Sequence, residues 1–491
     1  MGRREKRGQV VPSWRAVKSS SRLGLLRRSP SFGLLFLATA GSSFGTFLAA
    51  IALTVDVKDR TGSGVWVAAL LIAAFLPIVL IGLLLGPLVD RLSRRGLMIA
   101  SDLVRFGVFA ALPFADNATA IVGLAAVAGI ATGFFRPAVY AGVPNLVPDD
   151  ELTNANSLLQ TVETLAWMIG PVVGGLMLTV WSPSVPYGIN AVTFLVSAVL
   201  VARIPDRKLR SEESLTRGHW RDVADGIRVV LTSAPLWTVL IVWNVVQLGS
   251  GAINVAEVFF ATETLDAGSV GFGALLAASG VGLALGSYLA APALAKVGLR
   301  RHYAGSIALM GVGWGAAAFS PSIWIAVPFV VGGAAGNGAA IICNQLLVQR
   351  GAPDRYRGRA FATIMSTNYA VLGLAMAAAG VLTDVFGARS VWIAAGGFFL
   401  SAAAVALLLT RWLPVATAEE GDVLDAHAKA AASALVTEPV TDPQPKSPEP
   451  RAERSSKPPR AGSAKGGLER IAVLVEEIDR RREREARRST T

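Results

Sequence analysis

Long apolar runs separated by short polar connections dominate the chain between residues 32 and 411. Most of these runs approach or exceed the roughly twenty residues that a helix needs to cross the hydrocarbon core of a membrane. Because lipid offers no partner to an exposed peptide group, each run is predicted to be a helix. The pattern predicts an all-α membrane protein with twelve spans, the sixth and ninth of them short, at 32–56, 65–89, 97–115, 119–141, 155–180, 186–203, 235–260, 270–295, 302–320, 323–347, 359–383 and 390–411.

The positions of Lys and Arg predict the orientation of these spans. Both residue types are concentrated in alternate connections, and among the remaining connections they occur at Lys58, Arg60 and Arg389. Basic connections stay in the cytoplasm, so we expect both termini there and the protein in the plasma membrane. The first 31 residues lack the apolar core of a cleavable signal peptide, and the first span is expected to act as an uncleaved signal. The net charge of +12 then reflects topology and attraction to anionic lipid, and nucleic acid is not an expected partner.

A weak internal repeat divides the chain. Pro-Asp-Asp at 148–150 and Pro-Asp-Arg at 353–355 follow the fourth and tenth spans at an offset of 205 residues, and the same offset relates Gly175 to Gly380. Two parallel six-helix halves explain this spacing. The predicted organisation is a basic N-terminal arm (1–31), a first half (32–203), a linker with an amphipathic helix (204–234), a second half (235–411) and a mostly disordered tail (412–491) with a short amphipathic helix near 468–488.

The polar loop at 86–95 carries one acid and three bases between two predicted spans. Gly86, Asp90, Arg91, Arg94 and Arg95 fit the pattern G-x-x-x-D-R-x-G-R-[RK], which resembles the loop between the second and third helices of major facilitator superfamily transporters. The serine at position 93 stands where that family prefers glycine. The resemblance implies that these five residues form a gating motif, in which the Asp90 carboxylate contacts the other half of the transporter.

A second motif lies in the fifth span. Gly170-Pro171-Val172-Val173-Gly174-Gly175 combines a helix-kinking proline with small residues that let a neighbouring helix approach closely. It resembles the fifth-helix motif of antiporters in the same superfamily. The segments 134–157, 357–359 and 384–387 also resemble the drug/proton antiporter subfamily that includes bacterial macrolide exporters and the enterobactin exporter.

These resemblances imply the major facilitator fold and proton-coupled efflux of a small amphipathic molecule by alternating access. Small-molecule substrate, protons and the lipid bilayer are the expected partners, and the protein is expected to be a monomer. Two alternatives remain open: export of a siderophore or metabolite by the same fold, and a membrane interaction or sensor protein that signals through its tail.

Ionisable residues inside spans are candidates for proton coupling, because each costs about 2.5–3.5 kcal/mol at mid-bilayer unless it finds a partner or a cavity. Asp102 and Arg105 are three positions apart on one helix and can form an ion pair that braces it. Arg136 is expected to extend its guanidinium group towards the cytoplasm. Glu163 has no basic neighbour three or four positions away on its own helix. It is interpreted either as a lone carboxyl, whose pKa desolvation would raise into a range that suits reversible protonation, or as a protonated carboxyl that is hydrogen-bonded to another helix.

Other polar residues complete the set of candidates. Six amides are candidates for hydrogen bonds to substrate, and they can equally tie helices together: Asn244, Gln247 and Asn254 in the seventh span, and Asn337, Asn344 and Gln345 in the tenth. Four acids lie near the outer ends of their spans, where water is expected to reach them: Asp56, Glu257, Glu263 and Asp266.

Composition and missing motifs narrow the function further. Hydrophobic residues make up 53% of the chain and charged residues 16%, against about 25% charged residues in globular proteins. No G-x-x-x-x-G-K-[ST] phosphate loop occurs, and the three histidines are scattered without an H-E-x-x-H pattern. We therefore expect neither an enzyme nor a bound cofactor or metal.

Overall fold

A computed structural model describes residues 24–84, 92–209, 227–352 and 357–412. The polypeptide in these ranges is helical, with short 3-10 and π turns and no strand. After a short helical turn, Gly24–Arg28, come Pro30–Thr61 (α1), Gly64–Leu84 (α2), Arg94–Ala111 (α3), Ala118–Gly142 (α4), Leu152–Met177 (α5), Ser184–Ala202 (α6), Ala234–Phe259 (α7), Gly268–Val297 (α8), Leu299–Ala318 (α9) and Ile323–Gly351 (α10). A final helical stretch, Arg357–Leu409, turns at Gly387, whose φ of 77° separates α11 (357–386) from α12 (388–409).

The twelve predicted spans are confirmed. Within the described ranges, nine helical stretches are long and apolar enough to cross a membrane, and the last of them, Gly358–Leu409, contains both α11 and α12. The other two are α5, which carries Asn, Gln and Glu in its first half, and α9, which begins with two arginines and a histidine. Several helices run past their predicted ends, because charged and polar residues continue the helix beyond the apolar run. In α1, for example, Arg60 pairs with Asp56 one turn earlier at 2.7 Å.

The same packing pattern occurs in both halves. In the first half, α1 packs against α5 and α6, α2 against α4, and α3 against α4 and α6. In the second half, α7 packs against the α11–α12 stretch, α8 against α10, and α9 against α10 and the α11–α12 stretch. This correspondence agrees with the repeat that the offset of 205 residues indicates.

The two faces of the bundle differ in charge. One face, here called the basic face, holds the start of α1 and the connections α2–α3, α4–α5, α6–α7, α8–α9 and α10–α11. Among the described basic residues, this face carries Arg27, Arg28, Arg94, Arg95, Arg203, Arg207, Arg228, Lys296, Arg300, Arg301, Arg350, Arg359 and Arg411. The opposite face carries Lys58, Arg60 and Arg389 together with several acids.

Two seams join the halves near the opposite face. In the α5–α8 seam, a methyl group added to Gly175 would lie 2.5 Å from the carbonyl oxygen of Ser269. In the α2–α11 seam, a methyl group on Gly380 would lie 2.8 Å from the carbonyl oxygen of Gly64. Position 64 is related to 269, and 175 to 380, by the offset of 205. The seams are therefore equivalent, and each depends on a glycine that lets two backbones touch.

Polar contacts reinforce these seams at the opposite face. The Asp384 carboxylate accepts hydrogen bonds from the Ser63 hydroxyl at 2.8 Å, from the Gly64 amide and from the Val65 amide at 3.4 Å. It therefore caps the first turn of α2, where a negative charge also favours the helix dipole. Between the halves, Lys58 forms an ion pair with Glu263 at 3.1 Å.

Candidate functional site

A cavity of about 550 Å³ lies between the halves. It is lined by all six helices of the first half and by residues of α7, α8 and α11. Apolar and aromatic side chains form most of the wall, and α1 contributes a row of hydroxyl groups from Thr39, Ser42, Ser43, Thr46 and Thr54. This size and this mixture of an apolar wall with a few polar groups are typical of sites for small organic ligands.

The cavity extends along most of the bundle. Glu257, two residues before the end of α7, lines it near the opposite face, where the seams close the bundle. Arg136 and Tyr140 line it near the basic face. Of the Arg136 side chain, 53% is exposed, so protein atoms do not cover this residue at the end of the cavity near the basic face.

Two of the predicted proton-coupling candidates meet in this cavity. The Arg136 guanidinium donates from Nη2 to Oε2 of Glu163 at 3.1 Å, between α4 and α5. The Tyr140 side chain, one turn after Arg136, interacts with both. The interpretation of Glu163 as a lone carboxyl is therefore wrong, because its basic partner is 27 positions away on another helix. Arg136 likewise contacts a specific carboxylate instead of extending freely to the cytoplasm.

The other two candidates form the predicted ion pair. Arg105 Nη2 lies 2.5 Å from Asp102 Oδ1, and both residues are buried. The second Asp102 oxygen accepts a hydrogen bond from the Ser197 hydroxyl of α6 at 2.7 Å. The Arg105 guanidinium also lies over the rings of Phe135 and Phe194, at 4.2 and 4.3 Å. The pair thus ties α3 to α4 and α6, and Arg105 lines the cavity.

Part of the predicted gating motif can be placed. Gly86, Asp90 and Arg91 lie outside the described residues. Arg94 opens α3, and Arg95 donates from Nη2 to the carbonyl of Ala202 at the end of α6. Ser93, where the family prefers glycine, has a φ of −60° and its hydroxyl accepts a hydrogen bond from the Gly96 amide at 3.2 Å. Its side chain thus caps α3, and its backbone has no need of the conformational freedom of glycine.

The second motif forms close contacts on both sides of α5. Added methyl groups at Gly170 and Gly174 would lie 2.8 Å from Cβ of Phe47 and 2.5 Å from the Leu48 carbonyl oxygen, both on α1. Gly175 faces α8 in the seam, and the Pro171 carbonyl lies 2.7 Å from the place where Gly273 would carry a methyl group. The predicted close approach of neighbouring helices is therefore present.

Of the six amides that are candidates for substrate binding, one lines the cavity and the other five do not. Asn244, Gln247 and Asn337 are absent from its wall, and Gln247 is buried. Asn254, one turn before Glu257 on α7, is the asparagine that does line it. The sequence could not separate these amides, because each lies in an apolar run and the runs show no clear polar face.

Two of the four acids near the outer ends of their predicted spans are buried, which contradicts the expectation that water reaches them. Asp56 accepts hydrogen bonds from Arg60 at 2.7 Å and from the Tyr187 hydroxyl at 2.9 Å. Glu257 is only 3% exposed, and its Oε1 has no hydrogen-bond partner among the described residues. The sequence did carry a signal for Glu257, since apolar residues occupy 255, 256 and 258–261 on both sides of it.

Comparison with known sequences identifies the family. A sequence profile of the Major Facilitator Superfamily matches residues 35–251 and 244–458, which together cover most of the chain. The chain belongs to the Major Facilitator Superfamily. It is therefore a membrane transporter by family and is similar to multidrug and macrolide efflux proteins.

Two curated relatives of this superfamily member are efflux proteins. The multidrug efflux pump Tap of Mycolicibacterium fortuitum is 28% identical over 407 residues, which cover 78% of this chain and 97% of that protein. Macrolide efflux protein A of Streptococcus pyogenes is 24% identical over 217 residues, which cover 43% of this chain and 54% of that protein.

Solved structures support the fold of the superfamily member. The nucleoside transporter NupG superimposes with a TM-score of 0.63 at 14% identity, covering 80% of this chain and 99% of that one. A bacterial homologue of the iron transporter ferroportin, in an inward-facing state, gives a TM-score of 0.64 at 15% identity, with 78% and 98% covered. At these identities the likeness shows the fold alone.

Proposed function

We propose that this protein exports a small amphipathic molecule by alternating access, driven by proton antiport. The observation that carries the proposal is the cavity between the halves, which has an apolar wall, is accessible from the basic face and ends beneath the two seams. Similarity to multidrug and macrolide efflux proteins supports a drug-like substrate. A rocking motion of the two halves that opens the seams and closes the basic face would expose the same cavity to the other side.

In the proposed orientation the protein lies in the plasma membrane and its basic face contacts the cytoplasm. The arm 1–31, the linker 204–234 and the tail 412–491 are then cytoplasmic, and the transporter unit is a monomer of the two halves 32–203 and 235–411. The cavity accepts substrate from the cytoplasm in the conformation described.

Proton coupling is assigned to the Arg136–Glu163 pair. The Glu163 carboxyl lines the cavity and can either bind a proton or, as a carboxylate, pair with Arg136. Its protonation can therefore change when the cavity opens to the other side of the membrane. The pair lies where solvent from the basic face reaches it, which gives protons a route to the cytoplasm.

The direct test uses inverted membrane vesicles that contain the full chain. Candidate drugs are added with an imposed proton gradient, and a pH-sensitive dye follows proton movement. We expect uptake of an amphipathic drug together with dissipation of the gradient. Uptake that does not depend on the gradient would contradict proton coupling, and no transport of any amphipathic compound would contradict drug export.

Replacement of Asp384 by Asn tests alternating access. Asn keeps one acceptor oxygen but removes the negative charge that caps α2. We therefore expect the two seams at the opposite face to open more often. Ser269→Cys in the α5–α8 seam serves as a reporter, since the natural Cys343 is buried. A membrane-impermeant maleimide should label the reporter about threefold faster in the Asp384→Asn background, which corresponds to a change of less than about 1 kcal/mol.

The matched control for this experiment is Asp116→Asn, which removes an exposed acid from the same face. Labelling should remain at the rate of the reporter alone. If Asp384→Asn leaves the labelling rate unchanged, Asp384 does not hold the seam closed.

Replacement of Asp90 by Asn tests the proposed gating motif. The motif predicts that the Asp90 charge latches the halves, so transport should slow about tenfold while membrane insertion and abundance stay unchanged. Asp150→Asn, an exposed acid at the basic face, is the control and should transport normally. Normal vesicle transport by the Asp90→Asn variant would remove gating as its role.

A further inference from the structure

Glu257 is buried in the wall of the cavity and has no polar partner among the described residues. Only 3% of the residue is exposed, and its Oε1 accepts no hydrogen bond from any described residue. It also forms no ion pair within the described part of the chain. Buried polar groups of folded proteins are nearly always hydrogen-bonded, and an ionisable side chain at membrane depth is retained only at a cost. A carboxyl that only braced helices would have found a donor, as Asp102 and Asp56 have.

The charges of the cavity wall are otherwise balanced. Arg105 pairs with Asp102 directly behind it, and Arg136 pairs with Glu163 at the opposite end of the cavity. Among the described residues that line the cavity, Glu257 is therefore the carboxyl without a basic partner. When the charge of Asp102, which neutralises Arg105 from outside the wall, is included, ionisation of Glu257 leaves one unpaired negative charge among these residues, and that charge lies beneath the seams.

The surroundings of Glu257 suit an organic cation. From α8 and α11, Phe272, Leu276, Leu372 and Met376 line the same cavity, and Asn254 adds a neutral polar group one turn away on α7. Apolar and aromatic side chains bind the hydrocarbon part of such a ligand, and aromatic faces also attract its positive charge. A small inorganic cation would need several oxygen ligands, which this part of the wall does not offer among its described residues.

We propose that Glu257 binds the positively charged group of lipophilic organic cations and so makes them the preferred substrate class of this cavity. This inference rests on the proposed export function, since it names the chemistry of the exported molecule. The ligand enters from the basic face, its apolar part fills the aromatic middle of the cavity, and its cationic group reaches the carboxylate beneath the seams.

The test measures equilibrium binding to the purified full chain in detergent, without a proton gradient. Two tritiated probes of similar shape are compared: tetraphenylphosphonium, a permanent lipophilic cation, and triphenylphosphine oxide, which is neutral. The wild-type protein should bind the cation, and Glu257→Gln should weaken this binding about tenfold while binding of the neutral probe changes by less than about twofold. Asp116→Asn, which removes an exposed acid at the same face, should bind both probes as the wild type does.

Three results would overturn the proposal: no binding of tetraphenylphosphonium to the wild type, unchanged binding to Glu257→Gln, or an equal loss of both probes. Removal of an unpartnered buried charge should leave the protein at least as resistant to heat as the wild type. If Glu257→Gln cannot be purified, Glu257→Asp decides the matter, because it keeps the charge but withdraws it by one methylene. A selective loss of about threefold for the cation supports the proposal, and equal affinities contradict it.

Binding and transport can fail separately. Charge-selective binding with no gradient-driven uptake in vesicles would refute the proposed function and leave the binding site of Glu257 standing. Gradient-driven uptake of drugs by a protein in which Glu257→Gln binds the cation normally would refute the binding site alone.

Discussion

Glu163→Gln is expected to abolish proton-driven accumulation of substrate in inverted vesicles while substrate exchange continues. Gln has nearly the same shape as Glu and still accepts a hydrogen bond from Arg136, but it does not titrate. Arg136 remains hydrated without its partner, because 53% of its side chain is exposed. Accumulation should fall about tenfold or more, and counterflow exchange should stay within about twofold of the wild type.

The chain offers a closely matched control in the pair formed by Arg28 and Glu151. Its nitrogen–oxygen distance is 2.8 Å, and its side chains are 48% and 16% exposed, against 53% and 16% for Arg136 and Glu163. It lies outside the cavity wall. Glu151→Gln should therefore accumulate substrate as the wild type does. If Glu163→Gln also accumulates substrate normally, Glu163 has a structural role and the coupled proton binds elsewhere.

Asp102→Ala is expected to destabilise the protein severely. After the substitution, the charge of the Arg105 guanidinium group would stay buried without its carboxylate partner. Removing one partner of a buried pair costs about 3–5 kcal/mol, which should appear as early thermal unfolding in detergent and low abundance in the membrane.

A rescue and a control separate this effect from general damage. The double variant Asp102→Leu/Arg105→Met removes both charges and should recover most of the lost thermal stability, because a well-packed apolar pair avoids the cost of burying ions. Asp59→Ala removes an exposed carboxylate from Lys58, which keeps its ion pair with Glu263, and should cost about 0–1 kcal/mol. An unfolding temperature of Asp102→Ala equal to that of the wild type would show that the pair does not brace α3.

The apolar pattern predicted the twelve helices because lipid leaves the backbone no alternative, and the basic connections predicted which helix ends share a face. The repeat offset also related Gly175 to Gly380, and both of these glycines lie in the seams. The Asp102–Arg105 pair was predictable because its members are one helical turn apart. These features depend on the spacing of residues along one helix or on the similarity between the two halves of the sequence.

The remaining features depend on how separate helices meet. Arg136 and Glu163 are 27 positions apart, and neither α4 nor α5 alone shows that they pair. Glu257 was expected to be wetted because it lies near the outer end of its span, yet its carboxyl is buried and α7 continues beyond it as a π turn, Phe260–Thr264. The rotation of each helix about its axis decides which amides face the cavity. A uniformly apolar run shows no polar face from which this rotation could be predicted.

The ion pair between Lys58 and Glu263 marks the axis that relates the two halves. The two residues are separated by the repeat offset of 205, so the same position of each half meets its counterpart at 3.1 Å. In a symmetrical dimer of identical half-length subunits, any residue on the twofold axis faces its own copy, and a charged residue there repels itself. A lysine facing a glutamate is possible only where the two copies have separate sequences. Because the halves are joined in one chain and differ in sequence, opposite charges can meet on the axis that relates them. In a homodimer, two charged residues that meet on this axis would carry the same charge.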